Sequence, residues 1–191
     1  VKGVSFVGST RGGRYIYSHA AQFGKRVQAQ GGAKNPAVIM PDADMDMSTR
    51  ILADSAFGCA GQRCLATSVA ITVGGARSEF TERITADALA RKVGYGLEED
   101  VQMGPVITSQ SRERIHSLVT QGQTEGARVL AGGKEAEVDG FSDGYFYHPT
   151  VLDDVKPGST LASTEVFGPV LSLMHAETID EAIAMVNDRS F

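Results

Sequence analysis

Apolar residues along the chain alternate between short β-branched runs and stretches with helical spacing. The short runs predict strands at residues 4–7, 38–40, 68–73, 129–130 and 170–174. Helical spacing predicts helices over residues 10–23, 46–57 and 78–93, another from near Thr108, and a last one that begins at Ile179. Residues 134–148, rich in Gly and Asp, predict an exposed excursion that returns to the core at 149–151. This alternation indicates an α/β layered domain with a mostly parallel sheet flanked by helices.

Composition adds limits rather than a function. The 191 residues, 42% hydrophobic and 21% charged, are typical of a soluble globular protein, and they predict one compact domain over residues 1–191. The net charge of −5 argues against nucleic acid as a partner, and no apolar run is long enough to cross a membrane. Two cysteines argue against a disulfide framework, and the four histidines lack ligand spacing, so we predict no metal site.

Cys64 is the candidate nucleophile. It stands in the segment FGCAGQRCLA, residues 57–66, between a predicted helix and a predicted strand. A cysteine attacks as the thiolate, a form that a nearby cation favours, and Arg63 is the neighbouring residue. Gly58 and Gly61 permit backbone conformations that bring the chain close to a ligand. From these residues alone, Cys64 is either a nucleophile on a connecting loop or a buried cysteine that acts as a small hydrophobic residue.

Two further segments carry candidate binding groups. Gly8 and Ser9 lie between a strand and a helix, where exposed amides favour anions, although Ser9 is equally suited to be an ordinary helix cap. Glu165 and Phe167 lie in the segment EVFGPV, as a strong hydrogen-bond acceptor and an aromatic ring. In isolation these two would be a loop carboxylate and a core residue.

The segment GQRC at residues 61–64 resembles the nucleophile loop of the aldehyde dehydrogenase superfamily. Four other segments are similar to landmarks of that family and follow in the same order: VSFVGST at 4–10, GAKNP at 32–36, PDADMD at 41–46 and EVFGPV at 165–170. The resemblance covers nearly the whole chain. It implies that Cys64 is the nucleophile and that NAD is the cofactor. The implied cofactor-binding residues are Gly8, Ser9, Gly31, Gly32, Glu165 and Phe167.

The same resemblance implies that the chain is a fragment of a catalytic domain, since family members are more than twice as long. Most of the NAD-binding domain and the oligomerisation region would then be absent, and the isolated chain would be inactive. The full-length protein is expected to be a dimer or tetramer in the cytoplasm, or in mitochondria if the source is eukaryotic.

Gln30 departs from the pattern of the hydrolytic members of the family. In those members a glutamate, 34 residues before the nucleophile, activates water, and Gln30 stands at that separation from Cys64. An amide cannot accept a proton at neutral pH, so we expect the acyl group to pass to a better nucleophile, coenzyme A.

This pattern most resembles the CoA-acylating branch, the methylmalonate-semialdehyde dehydrogenases. The expected substrate is a small aldehyde, methylmalonate or malonate semialdehyde, whose carboxylate Arg63 would bind through its planar fork of donors. A surface ion pair is the alternative for Arg63. A hydrolytic NAD(P)-dependent aldehyde dehydrogenase and a catalytically incomplete fragment remain the alternative functions.

Overall fold

The computed structural model describes residues 1–188, which divide into two compact units of unequal size. The first unit is Val1–Ala33, and the second begins at Lys34 and contains every later described residue. The prediction of a single catalytic domain over residues 1–191, of which 189–191 lie outside the described residues, stays a prediction.

The first unit is a strand–helix–strand motif. β1 (Gly3–Val7) and β2 (Arg26–Gln30) pair in parallel, with α1 (Thr10–Gln22) between them along the chain. The hydroxyl of Ser9 accepts a hydrogen bond from the Gly12 amide at 3.1 Å, which caps the first turn of α1. The helix ends before Gly24, whose φ of +63° suits glycine. The predicted strand at 4–7 and helix at 10–23 are confirmed, whereas β2 was not predicted.

The second unit is built around a five-stranded sheet. Its strands are β3 (Asn35–Ile39), β4 (Thr67–Val73), β5 (Arg128–Ala131), β6 (Thr150–Asp153) and β7 (Val170–Ala176). The spatial order is β3-β4-β7-β6-β5, and every neighbouring pair is parallel except the antiparallel pair β5 and β6. Strand β7 is the middle strand and β4 is its neighbour, and both are almost continuously buried, as their apolar sequences require. The predicted α/β fold with a mostly parallel sheet is confirmed.

Five helices accompany this sheet in the described part of the second unit: α2 (Met45–Phe57), α3 (Ala76–Ala90), α4 (Ser109–Thr124), α5 (Thr160–Ser163) and α6 (Ile179–Asn187). The side chains of Asp44, Thr108 and Thr178 cap the first turns of α2, α4 and α6. The expectation of an exposed excursion over 134–148 is wrong for Phe146 and Tyr147, which are buried. Among the residues described, no helix is both long and apolar enough to cross a membrane.

Candidate active site

Cys64 lies on the connection between α2 and β4, at the amino end of a central strand of the sheet. A short 3₁₀ turn, Gly58–Gly61, follows α2 directly and leads to the thiol. Both Cys64 and Cys59 are free and exposed. The interpretation of Cys64 as a buried hydrophobic residue is therefore wrong, and its sulfur can be reached by a small molecule.

The turn before Cys64 has an unusual backbone. Cys59, Ala60 and Gly61 have φ values of 52°, 51° and 66°, in the left-handed region. For a residue with a side chain this conformation costs about 1–2 kcal/mol, so neighbouring contacts must maintain it. Gly61 has a second reason to lack a side chain, because a Cβ there would overlap the carbonyl group of Gly168. The turn before the thiol is thus packed against the loop that contains Gly168.

Polar side chains secure the segment on both sides of the thiol. The Gln62 side chain accepts a hydrogen bond from the Ile107 amide at 2.9 Å. The Asn35 amide nitrogen donates to the carbonyl oxygens of Cys64 at 2.7 Å and Ala66 at 3.0 Å. Neither anchor is visible in the local sequence, since each joins residues at least 29 positions apart.

Arg63 is bound to α2 in the structure. Its Nη2 donates to the carbonyl oxygens of Asp54 and Ser55, both at 2.9 Å, in the last turn of the helix. A cation at this position interacts favourably with the helix dipole, and it gives the Asp54 carbonyl oxygen a second donor besides the Gly58 amide. Gly58 leaves room for this contact, because a Cβ there would lie 3.0 Å from Nη2. The expected binding of a substrate carboxylate by Arg63 stays a prediction.

Glu165 and Phe167 lie on a loop whose backbone is hydrogen-bonded to a side chain of α4. The Arg114 guanidinium donates to the carbonyl oxygens of Glu165 at 2.7 Å and Val166 at 2.6 Å. Phe167 has a φ of 52° and an exposed fraction of 39%, so its ring is available for contact. A Cβ on the next residue, Gly168, would overlap the side chain of Ile115. The loop therefore presents a half-buried carboxylate and an exposed ring in a fixed backbone conformation.

The structure brings the candidate residues of the first unit together. Gly8 and Ser9 follow β1, and Gln30 ends β2, so they share the carboxyl edge of two parallel strands, where ligands commonly bind in α/β proteins. The Gly8 amide donates to the Gln30 carbonyl oxygen at 3.1 Å. Gly31 passes so close to Thr10 that a Cβ would lie 2.9 Å from its hydroxyl, and the Gly32 amide donates to that hydroxyl at 3.0 Å.

This edge suits the pyrophosphate of a dinucleotide. Ser9 accepts a bond from Gly12 as a helix cap, but its own hydroxyl hydrogen remains available to an anion. Residues 8–11 are exposed at the start of a helix of 13 residues, where amide groups favour negative charge. Residues 1–33 include no Asp or Glu and five basic side chains: Lys2, Arg11, Arg14, Lys25 and Arg26. The unit as a whole therefore attracts anions.

One group with possible metal ligands stands elsewhere in the described residues, at Asp153, Asp154 and His175. Asp153 bonds to His175 Nε2 and to Arg128, both at 2.6 Å. Asp154 bonds to Arg77 and to Arg128, both at 2.7 Å, and the bond from Arg128 lowers the pKa of Asp154. Because two arginines and the His175 ring already occupy these oxygens, we assign no metal to the group.

Comparison with known proteins agrees with this geometry. The acylating methylmalonate-semialdehyde/malonate-semialdehyde dehydrogenase of Rattus norvegicus mitochondria is 43% identical over 191 residues, which are all of this chain and 36% of the relative. The solved structure of methylmalonate-semialdehyde dehydrogenase from Oceanimonas doudoroffii matches with a TM-score of 0.93 at 40% identity, over 98% of this chain and 38% of that one. Betaine aldehyde dehydrogenase from Staphylococcus aureus, in complex with NAD+, matches with a TM-score of 0.95 at 33% identity, over 99% and 38%.

The chain thus spans little more than a third of the length of these relatives. The model of the aldehyde dehydrogenase family matches residues 1–191, the full length of the sequence. The similarity that the nucleophile segment and the other landmarks indicated is confirmed. The chain belongs to the aldehyde dehydrogenase family.

Proposed function

We propose that the full-length protein oxidises methylmalonate or malonate semialdehyde with NAD and transfers the acyl group to coenzyme A. The observation that carries the proposal is the exposed thiol of Cys64, on a segment whose backbone is anchored on both sides. The name of the rat relative describes it as acylating, which supports coenzyme A as the acceptor.

The first step belongs to Cys64. Its thiolate attacks the carbonyl carbon of the aldehyde, a C–S bond forms, and the carbonyl π electrons move to the oxygen. The backbone N–H of Cys64 is a donor for this oxyanion. Arg63 would orient the substrate through its carboxylate. The bonds from Arg63 to α2 use Nη2 only, so the Nε and Nη1 hydrogens are not consumed by them.

The described residues fit NAD in each unit. When bound, NAD supplies a hydride acceptor. The amides after β1 and the hydroxyl of Ser9 would bind its pyrophosphate, and Gly8, Gly31 and Gly32 would allow the backbone to approach it. The carboxylate of Glu165 would accept hydrogen bonds from ribose hydroxyls, and the exposed ring of Phe167 would pack beside the nicotinamide.

Gln30 determines the fate of the resulting thioester in this proposal. An amide cannot take a proton from water, so hydrolysis is slow and the acyl group stays on Cys64. The thiolate of coenzyme A then attacks the thioester carbon, forms a new C–S bond and expels the thiolate of Cys64. Loss of the substrate carboxylate as CO2 after the oxidation, with uptake of a proton at the α carbon, would make the product propionyl-CoA from methylmalonate semialdehyde or acetyl-CoA from malonate semialdehyde.

We further propose that the full-length protein is a homodimer or homotetramer, located in the cytoplasm, or in mitochondria if the source is eukaryotic. The mitochondrial rat relative supports the second location for a eukaryotic source. No nucleic acid or membrane is proposed as a partner.

Mass spectrometry of the full-length protein tests the reaction. Incubation with malonate semialdehyde and NAD, without coenzyme A, should leave an acyl adduct on the peptide containing Cys64, and added coenzyme A should remove it. Cys64→Ser should abolish the adduct, whereas Cys59→Ala should retain it. An unmodified Cys64 peptide would contradict the proposal, and full-rate turnover without coenzyme A would favour the hydrolytic alternative.

A further inference from the structure

Asn35 occupies an irregular position beside the nucleophile segment. It is the first residue of β3 and pairs with Thr67 at the start of β4. The next pair joins Pro36 to Val69, so β4 contributes one additional residue, Ser68, and forms a β-bulge. Pro36 has no N–H group to donate at this point. Bulges redirect neighbouring side chains, and here the side chain of Asn35 reaches out of the ladder to the segment that contains Cys64.

The contacts of Asn35 identify which of its atoms face that segment. The side chain approaches two carbonyl oxygens, those of Cys64 at 2.7 Å and Ala66 at 3.0 Å. Carbonyl oxygens only accept hydrogen bonds, so the NH2 group must face them, and both of its hydrogens are used. One short side chain therefore holds the backbone at the nucleophile and again two residues later.

A second bond completes the geometry around the thiol. The Ala66 amide donates to the carbonyl oxygen of Arg63 at 3.0 Å. The N–H of Cys64 lies in the same planar peptide unit as that carbonyl, so its direction is set by this bond. Asn35 sets the orientation of the following peptide through the Cys64 carbonyl. Both peptide planes that flank the Cα of Cys64 are thus restrained, and with them the direction of the N–H group and of the Cα–Cβ bond that carries the thiol.

We propose that Asn35 is a positioning residue for the nucleophile: by donating to the carbonyls of Cys64 and Ala66 it aims the thiol and the Cys64 N–H at the aldehyde. The inference rests on the nucleophilic role proposed for Cys64. Asn35 acts through the backbone and does not contact the substrate. The requirement is for a neutral group with two donors, which no other side chain of the same size and shape provides.

Alkylation of the full-length protein by iodoacetamide tests this role without aldehyde or coenzyme A. Asn35→Asp keeps the shape of the side chain but replaces the NH2 group, with its two donor hydrogens, by an acceptor oxygen that faces the two carbonyl oxygens. We expect Cys64 to react roughly tenfold more slowly in this variant, as for the loss of one or two hydrogen bonds. Asn35→Ser, with a single donor, should fall between this variant and the parent protein. Ser68→Ala is the matched control, because the Ser68 hydroxyl donates to the backbone carbonyl of Asn35, at 3.4 Å, and not to its side chain.

Cys59 is an internal reference for these measurements. It is exposed in the same segment, but the Asn35 side chain does not bond to it. Peptide-resolved mass spectrometry should show a selective effect on Cys64, with the rates for Cys59 and for the Ser68→Ala variant unchanged within about twofold. Equal slowing of both cysteines would indicate general loosening and overturn the proposal, as would an unchanged Cys64 rate in Asn35→Asp. If Asn35→Asp fails to fold, the same comparison in Asn35→Ser decides.

The outcomes separate this inference from the proposed reaction. A parent protein that forms the acyl adduct, together with Asn35 variants that form it at the parent rate, would overturn only the positioning role. A parent protein that forms no adduct would overturn the reaction, while the alkylation rates would still measure the effect of Asn35 on the thiol. Titration with NAD supplies a further check: the affinity should be unchanged in Asn35→Ser.

Discussion

Replacing Gly61 with alanine adds one methyl group at the closest contact behind the nucleophile. The new Cβ would overlap the carbonyl of Gly168 and would lie 2.9 Å from the carbonyl oxygen of Ala56, inside the 3.0 Å that Cβ atoms normally keep. The left-handed backbone at φ +66° adds about 1 kcal/mol. Overpacking of a site that cannot yield adds about 1–3 kcal/mol. We therefore expect Gly61→Ala to lower the free energy of unfolding by about 2–4 kcal/mol.

Two other glycines separate these contributions. Gly24 has a φ of +63° and open space around it, so Gly24→Ala should show the backbone cost alone, about 1 kcal/mol. Gly75 has open space and an ordinary φ of −64°, so Gly75→Ala should be neutral or slightly stabilising. Urea unfolding measures all three variants. Equal destabilisation by Gly61→Ala and Gly24→Ala would refute the argument that contact with Gly168 requires a glycine.

The remaining predictions concern Gln30, the loop that contains Glu165, and the stability of the protein in acid. In the full-length protein, Gln30→Glu should raise the yield of free acid relative to acyl-CoA by about a hundredfold, measured by product analysis, because a carboxylate can activate water. Arg114→Met should weaken NAD binding roughly tenfold in a calorimetric titration, since two bonds to the loop of Glu165 are lost, and an unchanged affinity would contradict this. Asp154→Asn should lower the free energy of unfolding at pH 6 by less than about 1 kcal/mol, because the ion pairs of Asp154 with Arg77 and Arg128 are half exposed. Thermal unfolding should show this as a slightly lower melting temperature. The pKa of Asp154 is lowered, chiefly by its bond to Arg128, so this contribution is present above its usual pKa of 3.8 and disappears as the pH falls through the lowered value; a difference that grows in acid would contradict the assignment.

The main elements of the fold could be predicted from the hydrophobic pattern, because the apolar residues that recur with helix or strand periodicity are the ones buried in the structure. β2 was missed, since its sequence RVQAQ has only two apolar residues and both are only half buried. Tyr147 was wrongly predicted to be exposed, because the composition around it is polar. It stands in a segment rich in Gly and Asp, yet its ring is buried and its hydroxyl lies 3.2 Å from His116 Nδ1 on α4. Local composition does not encode such a long-range contact.

The reacting residue of the candidate site was easier to predict than the residues that hold its backbone in place. Cys64 stands out because its type and neighbours relate directly to nucleophilic attack. Asn35 and Arg114 are ordinary polar residues in the sequence, and their roles arise from bonds to backbone carbonyls 29–31 and 51–52 positions away. Arg63 was identified, but the two carbonyls of α2 that it binds lie on a preceding helix, and no local pattern points to them.

The contact between Gly61 and Gly168 has a consequence for engineering. Two loops separated by more than a hundred residues touch at positions that tolerate no side chain, so neither can be redesigned alone. A chimaera that takes residues 58–66 from another family member would have to take 165–168 from the same parent. If a crossover point separates these two segments, the hybrid should be active only when both parent proteins have glycine at the positions of Gly61 and Gly168.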